Sequence, residues 1–149
     1  MKRQDFDLRD FLPYLLNQAA ETSSLDFQQI YKDRYGMLRT EWRVLFHLGM
    51  FGRMTASGIG QAAKTHKTKI SRAVQRLVER RFVARFPDEN DRRVEHLELT
   101  LKGQAAYDDL RQVAQDYDTA LAANLTKDEI RILRAALKKL SQTDASGFT

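Results

Sequence analysis

A short segment of this chain concentrates side chains that can bind a polyanion. Between residues 64 and 93 it carries ten lysines and arginines against four acids, a net charge of +6, whereas the whole chain carries +5. The remainder of the chain therefore nets −1. A basic segment on an otherwise balanced chain is the electrostatic signature of a protein that binds nucleic acid or another polyanion.

The first half of this segment has the pattern of an amphipathic helix. Ile70, Ala73, Val74 and Leu77 recur at helical spacing and predict a buried face. The opposite face is polar, and the major groove of B-form DNA admits a helix whose outward side chains pair with base edges. Arginine suits guanine, glutamine suits adenine, and lysines near the first turn suit phosphates. The DNA-contacting residues expected on this helix are Lys67, Thr68, Lys69, Ser71, Arg72, Gln75 and Arg76.

The second half of the segment predicts a β-hairpin with a charged tip. Residues 82–86 are typical of a strand, and residues 87–91 form a turn cluster. Residues 94–99 then alternate apolar and polar side chains, as a half-exposed strand does. An arginine on a narrow loop can enter the minor groove, where the potential of DNA is most negative. We therefore expect Arg92 and Arg93 to contact DNA, with Asp91 orienting a neighbouring arginine through a charge-assisted hydrogen bond.

Helices are predicted before the basic segment. An apolar stripe indicates a helix over residues 8–19, the run Thr22-Ser23-Ser24 interrupts it, and a second helical piece ends near Gly36. Thr40 is the expected cap of the next helix. A short helix at residues 55–63 then precedes the basic helix.

Two further helices are predicted after the hairpin. Thr100 is the expected cap of the first, and Thr126 with Glu129 forms a capping box for the second. Their apolar stripes, with that of the first helix, exceed what a small hairpin-bearing lobe can cover, which favours a dimer. The predicted fold is mainly α with a small β-hairpin, in a single domain spanning residues 1–149. It comprises a winged helix-turn-helix lobe at 38–100 and a helical dimerisation region at 5–35 and 101–141.

Several stretches match a known family of proteins. They are Thr68-Lys69-Ile70-Ser71-Arg72-Ala73-Val74 with Leu77, Val83-Ala84-Arg85, Asp91-Arg92-Arg93 and Leu99-Thr100-Leu101-Lys102-Gly103. In these residues the chain resembles the MarR family of bacterial transcription regulators. The Asp-x-Arg tip followed by Leu-Thr-x-x-Gly is the most specific part, and the likeness extends from about Phe6 to Leu140.

The resemblance implies a homodimer that binds a palindromic operator on double-stranded DNA, usually as a repressor. It makes Arg93 the minor-groove arginine and Asp91 its support, and it implies a pocket for a small aromatic or phenolic effector. Two departures from the family pattern stand out. Arg81 replaces the usual glycine after the basic helix, so we expect that helix to end by another route than a left-handed glycine cap. Gly58-Ile59-Gly60 replaces the more usual Glu-Leu-Ala.

Candidate residues for the effector pocket lie in the first half of the chain. Each of them also fits an ordinary role in the core or as a satisfied surface group. The candidates are Phe11, Tyr14, Arg39, Trp42 and His47.

Other function classes receive little support from the sequence. The chain has no cysteine, and its three histidines lack the spacing of a helical metal site, so neither thiol chemistry nor a metal or other cofactor is expected. No catalytic pattern stands out, so no catalytic residue is assigned and the chain is not expected to be an enzyme. No apolar run approaches the roughly 20 residues of a membrane span, which favours a cytoplasmic protein without a membrane partner.

Two alternatives to sequence-specific regulation stay open. The same charges suit a nonspecific, nucleoid-type architectural DNA binder that does not read bases. They also suit a protein-interaction module whose basic face meets an acidic partner.

Overall fold

The computed structural model describes residues 5–142, which form a 3-10 turn, six helices and a small antiparallel sheet. This architecture confirms the predicted fold class. The chain divides into two compact units, of which the first ends at Ala114 and the second begins at Gln115. After the turn Leu8–Asp10 the elements are α1 (Leu12–Tyr35), α2 (Arg39–Phe51), β1 (Met54–Thr55), α3 (Ala56–Ala63), α4 (Lys67–Glu79), β2 (Val83–Pro87), β3 (Glu95–Leu99), α5 (Leu101–Ala122) and α6 (Lys127–Gln142).

The first long helix, α1, is continuous, so the predicted interruption at residues 22–24 is wrong. Ser24 Oγ donates to the carbonyl oxygen of Ala20 at 2.7 Å. The hydroxyl group thus finds its partner inside the helix and does not divert the backbone. Pro13 lies in the first turn, where its missing N–H removes no helical hydrogen bond.

The start of α2 also differs from the prediction, because Thr40 is not its cap. The helix begins at Arg39, after an extended Leu38. Glu41 Oε2 accepts the backbone N–H of Leu38 at 2.7 Å, and the Glu41 residue is only 1% exposed. A buried glutamate therefore satisfies the end of this helix in place of a threonine hydroxyl.

The apolar stripe of α4 is buried, as the sequence predicts. Ile70, Ala73, Val74 and Leu77 are each at most 4% exposed. They pack on α2 and α3, where the core residues are Val44, Leu45, Leu48 and Ile59. This packing fixes the rotation of α4 about its axis.

The small sheet contains the predicted hairpin and one further strand. β2 and β3 pair antiparallel from Val83 opposite Leu99 to Pro87 opposite Glu95. β1 pairs with the other edge of β3, which gives the strand order β1-β3-β2. The sequence did not predict β1, because two residues are too few to show strand alternation.

At the end of α4 a left-handed cap forms without a glycine. Arg81 itself adopts the left-handed conformation, with φ of 66°. Its N–H donates to Val78 O at 3.0 Å, and the N–H of Phe82 donates to Leu77 O at 2.9 Å. These bonds form the Schellman pattern that glycine usually completes. A Cβ in this region costs about 1–2 kcal/mol, so the turn is strained.

A threonine and a glycine seat α5 on this turn. The Thr100 N–H donates to Phe82 O at 3.0 Å, and Thr100 Oγ1 donates to Arg81 O at 2.6 Å while accepting the Gly103 N–H at 3.0 Å. Any Cβ on Gly103 would overlap the carbonyl oxygen of Phe82. The Leu-Thr-x-x-Gly sequence is therefore a helix cap followed by a contact that only glycine permits.

One aspartate organises the turn between β2 and β3. Asp88 Oδ2 accepts the N–H groups of Asn90 at 3.1 Å and Asp91 at 3.0 Å, and Asp88 Oδ1 accepts from His96 Nε2 at 2.8 Å. The hydrogen bond from His96, followed by those two N–H groups, lowers the pKa of Asp88. The Asp88 carboxylate therefore orders the loop that carries the tip arginines.

Two groups of apolar side chains stay exposed, one near the N-terminus and one on α6. In the second unit the capping box predicted for α6 is present, with Thr126 N–H donating to Glu129 Oε1 at 3.0 Å and Glu129 N–H to Thr126 Oγ1 at 3.1 Å. Helices within residues 5–142 lack the combined length and apolar content of a membrane span. The two groups consist of Phe6, Leu8, Phe11, Leu12, Leu15 and Leu16 near the N-terminus and Ile132, Leu133, Leu137 and Leu140 on α6.

Replacing Arg81 with glycine is expected to stabilise the protein. Without a Cβ the left-handed turn carries no strain, so the free energy of unfolding should rise by about 1 kcal/mol, measured as a higher urea midpoint. The matched control is Arg111→Gly inside α5, which should lower the free energy of unfolding by about 1 kcal/mol. A lower midpoint for Arg81→Gly would contradict the left-handed assignment.

Removing the Asp88 carboxylate is expected to loosen the hairpin loop. In Asp88→Ala the amides of Asn90 and Asp91 lose their acceptor, so their hydrogen exchange should accelerate, whereas Glu89→Ala should leave it unchanged. Because folding lowers the Asp88 pKa, the protection is complete above the ordinary aspartate value of 3.8 and is lost as pH falls through the lowered value. Equal exchange in both variants would refute this role.

Candidate nucleic-acid interface

The outer face of α4 carries every contact residue that the sequence places on this helix. Burial of the stripe from Ile70 to Leu77 turns the remaining residues towards solvent. A row of cationic and hydrogen-bonding side chains thus lies on one side of the helix. The exposed residues are Lys67, Thr68, Lys69, Ser71, Arg72, Gln75 and Arg76.

The first turn of α4 has the features of a phosphate-binding helix end. His66 caps it, since Nδ1 of the imidazole accepts the Thr68 N–H at 3.2 Å. Lys67 and Lys69 are exposed in this turn, and the turn contains no acid. The partial positive charge of the helix end and the two ammonium groups act together on a nearby anion.

Gln75 is held between two charged side chains. Its Nε2 donates to Glu79 Oε1 at 2.8 Å, and its Oε1 accepts from an Arg85 guanidinium nitrogen at 2.8 Å. Arg85 also donates to Glu95 Oε2 at 3.1 Å, so one guanidinium joins α4 to both β2 and β3. Sequence reasoning did not place Arg85 at this site, because the bond to Gln75 crosses from a helix to a strand.

Asp91 and Arg93 form a compact unit at the hairpin tip. Asp91 Oδ1 accepts the backbone N–H of Arg93 at 3.0 Å and its side-chain Nε at 3.2 Å. The side-chain hydrogen bond is the largest cause of the lowered pKa of Asp91. The Arg93 side chain is 90% exposed, so the brace orients the guanidinium without burying it. Arg92 is exposed beside it.

A cluster at the C-terminal end of α1 anchors the C-terminal end of α4. The Arg80 guanidinium donates to the carbonyl oxygens of Tyr35 and Gly36, the latter at 3.0 Å. The Tyr35 hydroxyl donates to Asp109 Oδ2 at 2.6 Å, and Arg34 donates to Asp109 Oδ1 at 2.9 Å. Burial, and then the hydrogen bond to Asp109, raises the pKa of Tyr35 to about 12. Tyr35 therefore stays a neutral donor, and Arg80 is committed to this anchor.

An open groove of about 540 Å³ runs beside α4 and includes Arg39 among its lining residues. The other cations that line it are Lys69, Arg72 and Arg76, all on the exposed face of α4. Arg39 pairs with Glu21 at 3.1 Å across α1 and α2. Glu41 also lines the groove, and its Oε1 is a buried oxygen without a hydrogen-bond partner among residues 5–142.

The other pocket candidates occupy separate surroundings. Phe11 and Tyr14 are exposed at the start of α1. Trp42 lies in an aromatic cluster, with ring centroids 5.4 Å from Phe27, 5.8 Å from Tyr31 and 5.0 Å from Phe46. His47 Nδ1 lies 2.6 Å from the carbonyl oxygen of Arg43 and its ring tilts against Phe51. Arg39 is the candidate that lines the groove beside α4.

The described part of the chain offers no cluster of metal ligands. Among residues 5–142, no group of three or more histidines, aspartates or glutamates is arranged to hold a metal ion. The assembled side chains are instead cations and hydrogen-bonding groups on an exposed helix and an exposed loop. This combination suits the binding of an extended anionic polymer.

Known proteins share this architecture. Residues 35–94 match a model of the MarR family. An uncharacterised helix-turn-helix regulator of Bacillus subtilis, YwaE, is 26% identical over 107 residues, which cover 72% of this chain and 63% of that protein. The match thus spans less than two thirds of that relative's length.

Two solved structures superimpose over most of the chain. A mutant MarR from Escherichia coli, solved with operator DNA, is 26% identical, with a TM-score of 0.77 over 87% of this chain and 92% of that one. NadR, solved with 4-hydroxyphenylacetate, is 21% identical, with a TM-score of 0.79 over 97% of this chain and all of that one, and shows the common fold. Together with the helix-turn-helix lobe, its hairpin and the family match over residues 35–94, these likenesses show that the chain has the winged helix-turn-helix fold and is similar to the DNA-binding transcription regulators of the MarR family.

Proposed function

We propose that this protein is a sequence-specific, ligand-responsive repressor that binds a palindromic operator as a homodimer. The observation that carries the proposal is the exposed face of α4, rich in hydrogen-bonding side chains, next to a hairpin whose Arg93 is braced by Asp91. Family members regulate transcription and are not enzymes. Genomic DNA as the partner implies a cytoplasmic protein.

Base reading is assigned to the middle of α4. Arg72 has the fork of donors that pairs with guanine O6 and N7, and Gln75 has the donor and acceptor that pair with adenine. Thr68 and Ser71 offer shorter hydroxyl groups on the same exposed face. Lys67, Lys69 and Arg76 are assigned to phosphates, where their charge adds affinity without distinguishing bases.

The wing, which is the hairpin of β2 and β3 with its loop, is assigned to the minor groove. Arg93 is braced at its Nε by Asp91, which leaves most of the guanidinium exposed at the loop tip. Because Asp88 orders the loop, the guanidinium enters the groove with little further loss of conformational entropy. Arg92 adds a second positive charge at the same tip.

The homodimer is proposed from the exposed apolar residues. Six apolar side chains near the N-terminus and four on α6 are more than one third exposed in the single chain. Apolar surface on this scale marks an interaction site in a water-soluble assembly. A second copy of the chain covers such surfaces symmetrically and repeats α4 at about one helical turn of DNA, roughly 34 Å away.

The groove beside α4 suits a small anionic effector such as an aromatic or phenolic acid. Its cations include Lys69, Arg72 and Arg76, which are also assigned to DNA. An acid bound there competes with DNA for these charges and lowers DNA affinity, as a repressor's inducer does. The complex of the fold relative NadR with 4-hydroxyphenylacetate supports this ligand class. Phe11, Tyr14, Trp42 and His47 remain candidates for the apolar part of a pocket.

Selection of bound sites from a random duplex library tests sequence specificity. We expect a palindrome bound at least ~10³-fold more tightly than random duplex at matched salt. Arg72→Ala should lower this ratio by about tenfold or more, because a bidentate base contact contributes about 1–3 kcal/mol to discrimination. Arg93→Ala should weaken binding chiefly by removing the minor-groove contacts at the two ends of the site.

Arg131→Ala on α6 is the matched control, since Arg131 is exposed and pairs with Asp128 at 3.7 Å. It should leave both affinity and base preference unchanged. Equal affinity for all duplexes would favour the architectural binder. No measurable DNA binding, or full binding by Arg72→Ala and Arg93→Ala, would favour a basic module for protein partners.

Sedimentation equilibrium tests the homodimer. The parent protein should have twice the chain mass of 17.3 kDa at micromolar concentration. Leu133→Glu should shift the population towards monomer, because it places a charge on an apolar surface that the interface buries. Lys138→Glu, also exposed on α6, should remain dimeric. A monomeric parent would contradict the proposal.

A further inference from the structure

One guanidinium connects α4, the proposed recognition helix, to the hairpin of β2 and β3, the proposed wing. Arg85, in β2, donates to Gln75 of α4 at 2.8 Å and to Glu95, the first residue of β3, at 3.1 Å. Gln75 in turn donates to Glu79, one helical turn further along α4, at 2.8 Å. Hydrogen bonds thus link the side chains of Glu95, Arg85, Gln75 and Glu79 in that order. The Gln75 amide lies between the Arg85 guanidinium and the Glu79 carboxylate.

The charges on either side fix the orientation of the Gln75 amide. A guanidinium only donates and a carboxylate only accepts. Turning the amide over would place its NH2 group against the Arg85 guanidinium and its oxygen against the Glu79 carboxylate, so both hydrogen bonds would be lost. A free glutamine on a helix surface has no such constraint.

The fixed amide keeps hydrogen-bonding capacity for a ligand. Gln75 Oε1 has a second lone pair and Nε2 has a second hydrogen beyond those used by Arg85 and Glu79. Adenine presents the complementary pair in the major groove, an N6 donor next to an N7 acceptor. A glutamine whose oxygen and nitrogen are already ordered loses less rotamer freedom when it binds this edge.

We propose that Arg85 is a positioning residue that orients Gln75 for reading adenine, an inference that rests on the proposed sequence-specific DNA binding. Arg85 acts through Gln75 and not through phosphate. Each of its terminal nitrogens already donates one hydrogen bond, to Gln75 or to Glu95, and its side chain is 36% exposed, compared with 90% for Arg93. Arg85 therefore sets a base preference while contributing little to the salt dependence of binding.

The test compares two quantities in the full-length protein on the selected operator and its single-base variants. The first is the affinity ratio between adenine and each other base at the position that Gln75→Ala renders indifferent. The second is the slope of log affinity against log salt, which falls by about 0.9 for each lost phosphate contact. Arg85→Met should lower the adenine ratio about tenfold and change the slope by less than half a unit.

Three further variants separate geometry from charge. Arg85→Lys keeps the charge but loses the fork that spans Gln75 and Glu95, so it should lose the adenine preference as Arg85→Met does. The double variant Gln75→Ala, Arg85→Met should discriminate no worse than Gln75→Ala alone. Arg53→Met is the matched control, because Arg53 pairs with Glu98 of the same sheet at 3.1 Å and lies over the Phe86 ring. It should keep the adenine preference.

The outcomes distinguish this inference from the function on which it rests. A parent protein that selects no site overturns the proposed function itself. A parent that selects a palindrome, with an Arg85→Met variant that retains every base preference, overturns the positioning role alone. A slope reduced by about 0.9 in Arg85→Met with the adenine ratio intact makes Arg85 a phosphate contact and also overturns it.

Discussion

Burial of one stripe of α4 determines which of its residues meet solvent, and the site depends on that choice. Ile70, Ala73, Val74 and Leu77 leave water almost completely, and burial of an apolar side chain of valine or leucine size stabilises a fold by about 1.5–3 kcal/mol. A rotation of α4 that exposed this stripe would lose several kcal/mol. The hydrogen-bonding face is therefore held outward by the core beneath it.

The second constraint is the junction at Phe82, where α4, β2 and α5 meet. The Schellman bonds of α4, the cap of α5 and the close approach of Gly103 all converge on two residues, Arg81 and Phe82. Lys102 adds a cation 4.3 Å from the centre of the Phe82 ring. Because the wing begins directly after this turn, the junction sets the direction in which β2 leaves α4. Local bonds thus hold α4 and the hairpin in a fixed relative orientation in this chain.

Sequence patterns predicted the elements that repeat over many residues. The stripe of α4, the alternation of the hairpin and the capping box at Thr126 each leave a periodic or paired signal, and the structure contains all three. The predicted break near Ser24 was wrong, because the residue types that favour turns also bond to the preceding helical carbonyl. The cap of α2 was assigned to Thr40 although Glu41 performs it from the third position of the helix.

Other features leave no mark in the sequence. The left-handed Arg81 was missed because residue preference argues for glycine there, while the surrounding bonds impose the conformation. The bond between Gln75 and Arg85 joins residues ten positions apart on different elements, and only the fold reveals it. The role of Asp88 likewise depends on His96 on the next strand. These contacts fix the positions of side chains at the candidate interface, whereas the periodic patterns indicate only which faces of the elements are exposed.

The arrangement of helix and wing on DNA is tested most directly by footprinting the parent protein on its selected duplex. Methylation of guanine N7 reports the major groove, and hydroxyl-radical cleavage reports the minor-groove side of the backbone. We expect N7 protection at two sites about one helical turn apart, flanked outward by minor-groove protection. Uniform protection along the duplex, or protection confined to one groove, would contradict a two-fold repeated recognition helix with a wing on either side.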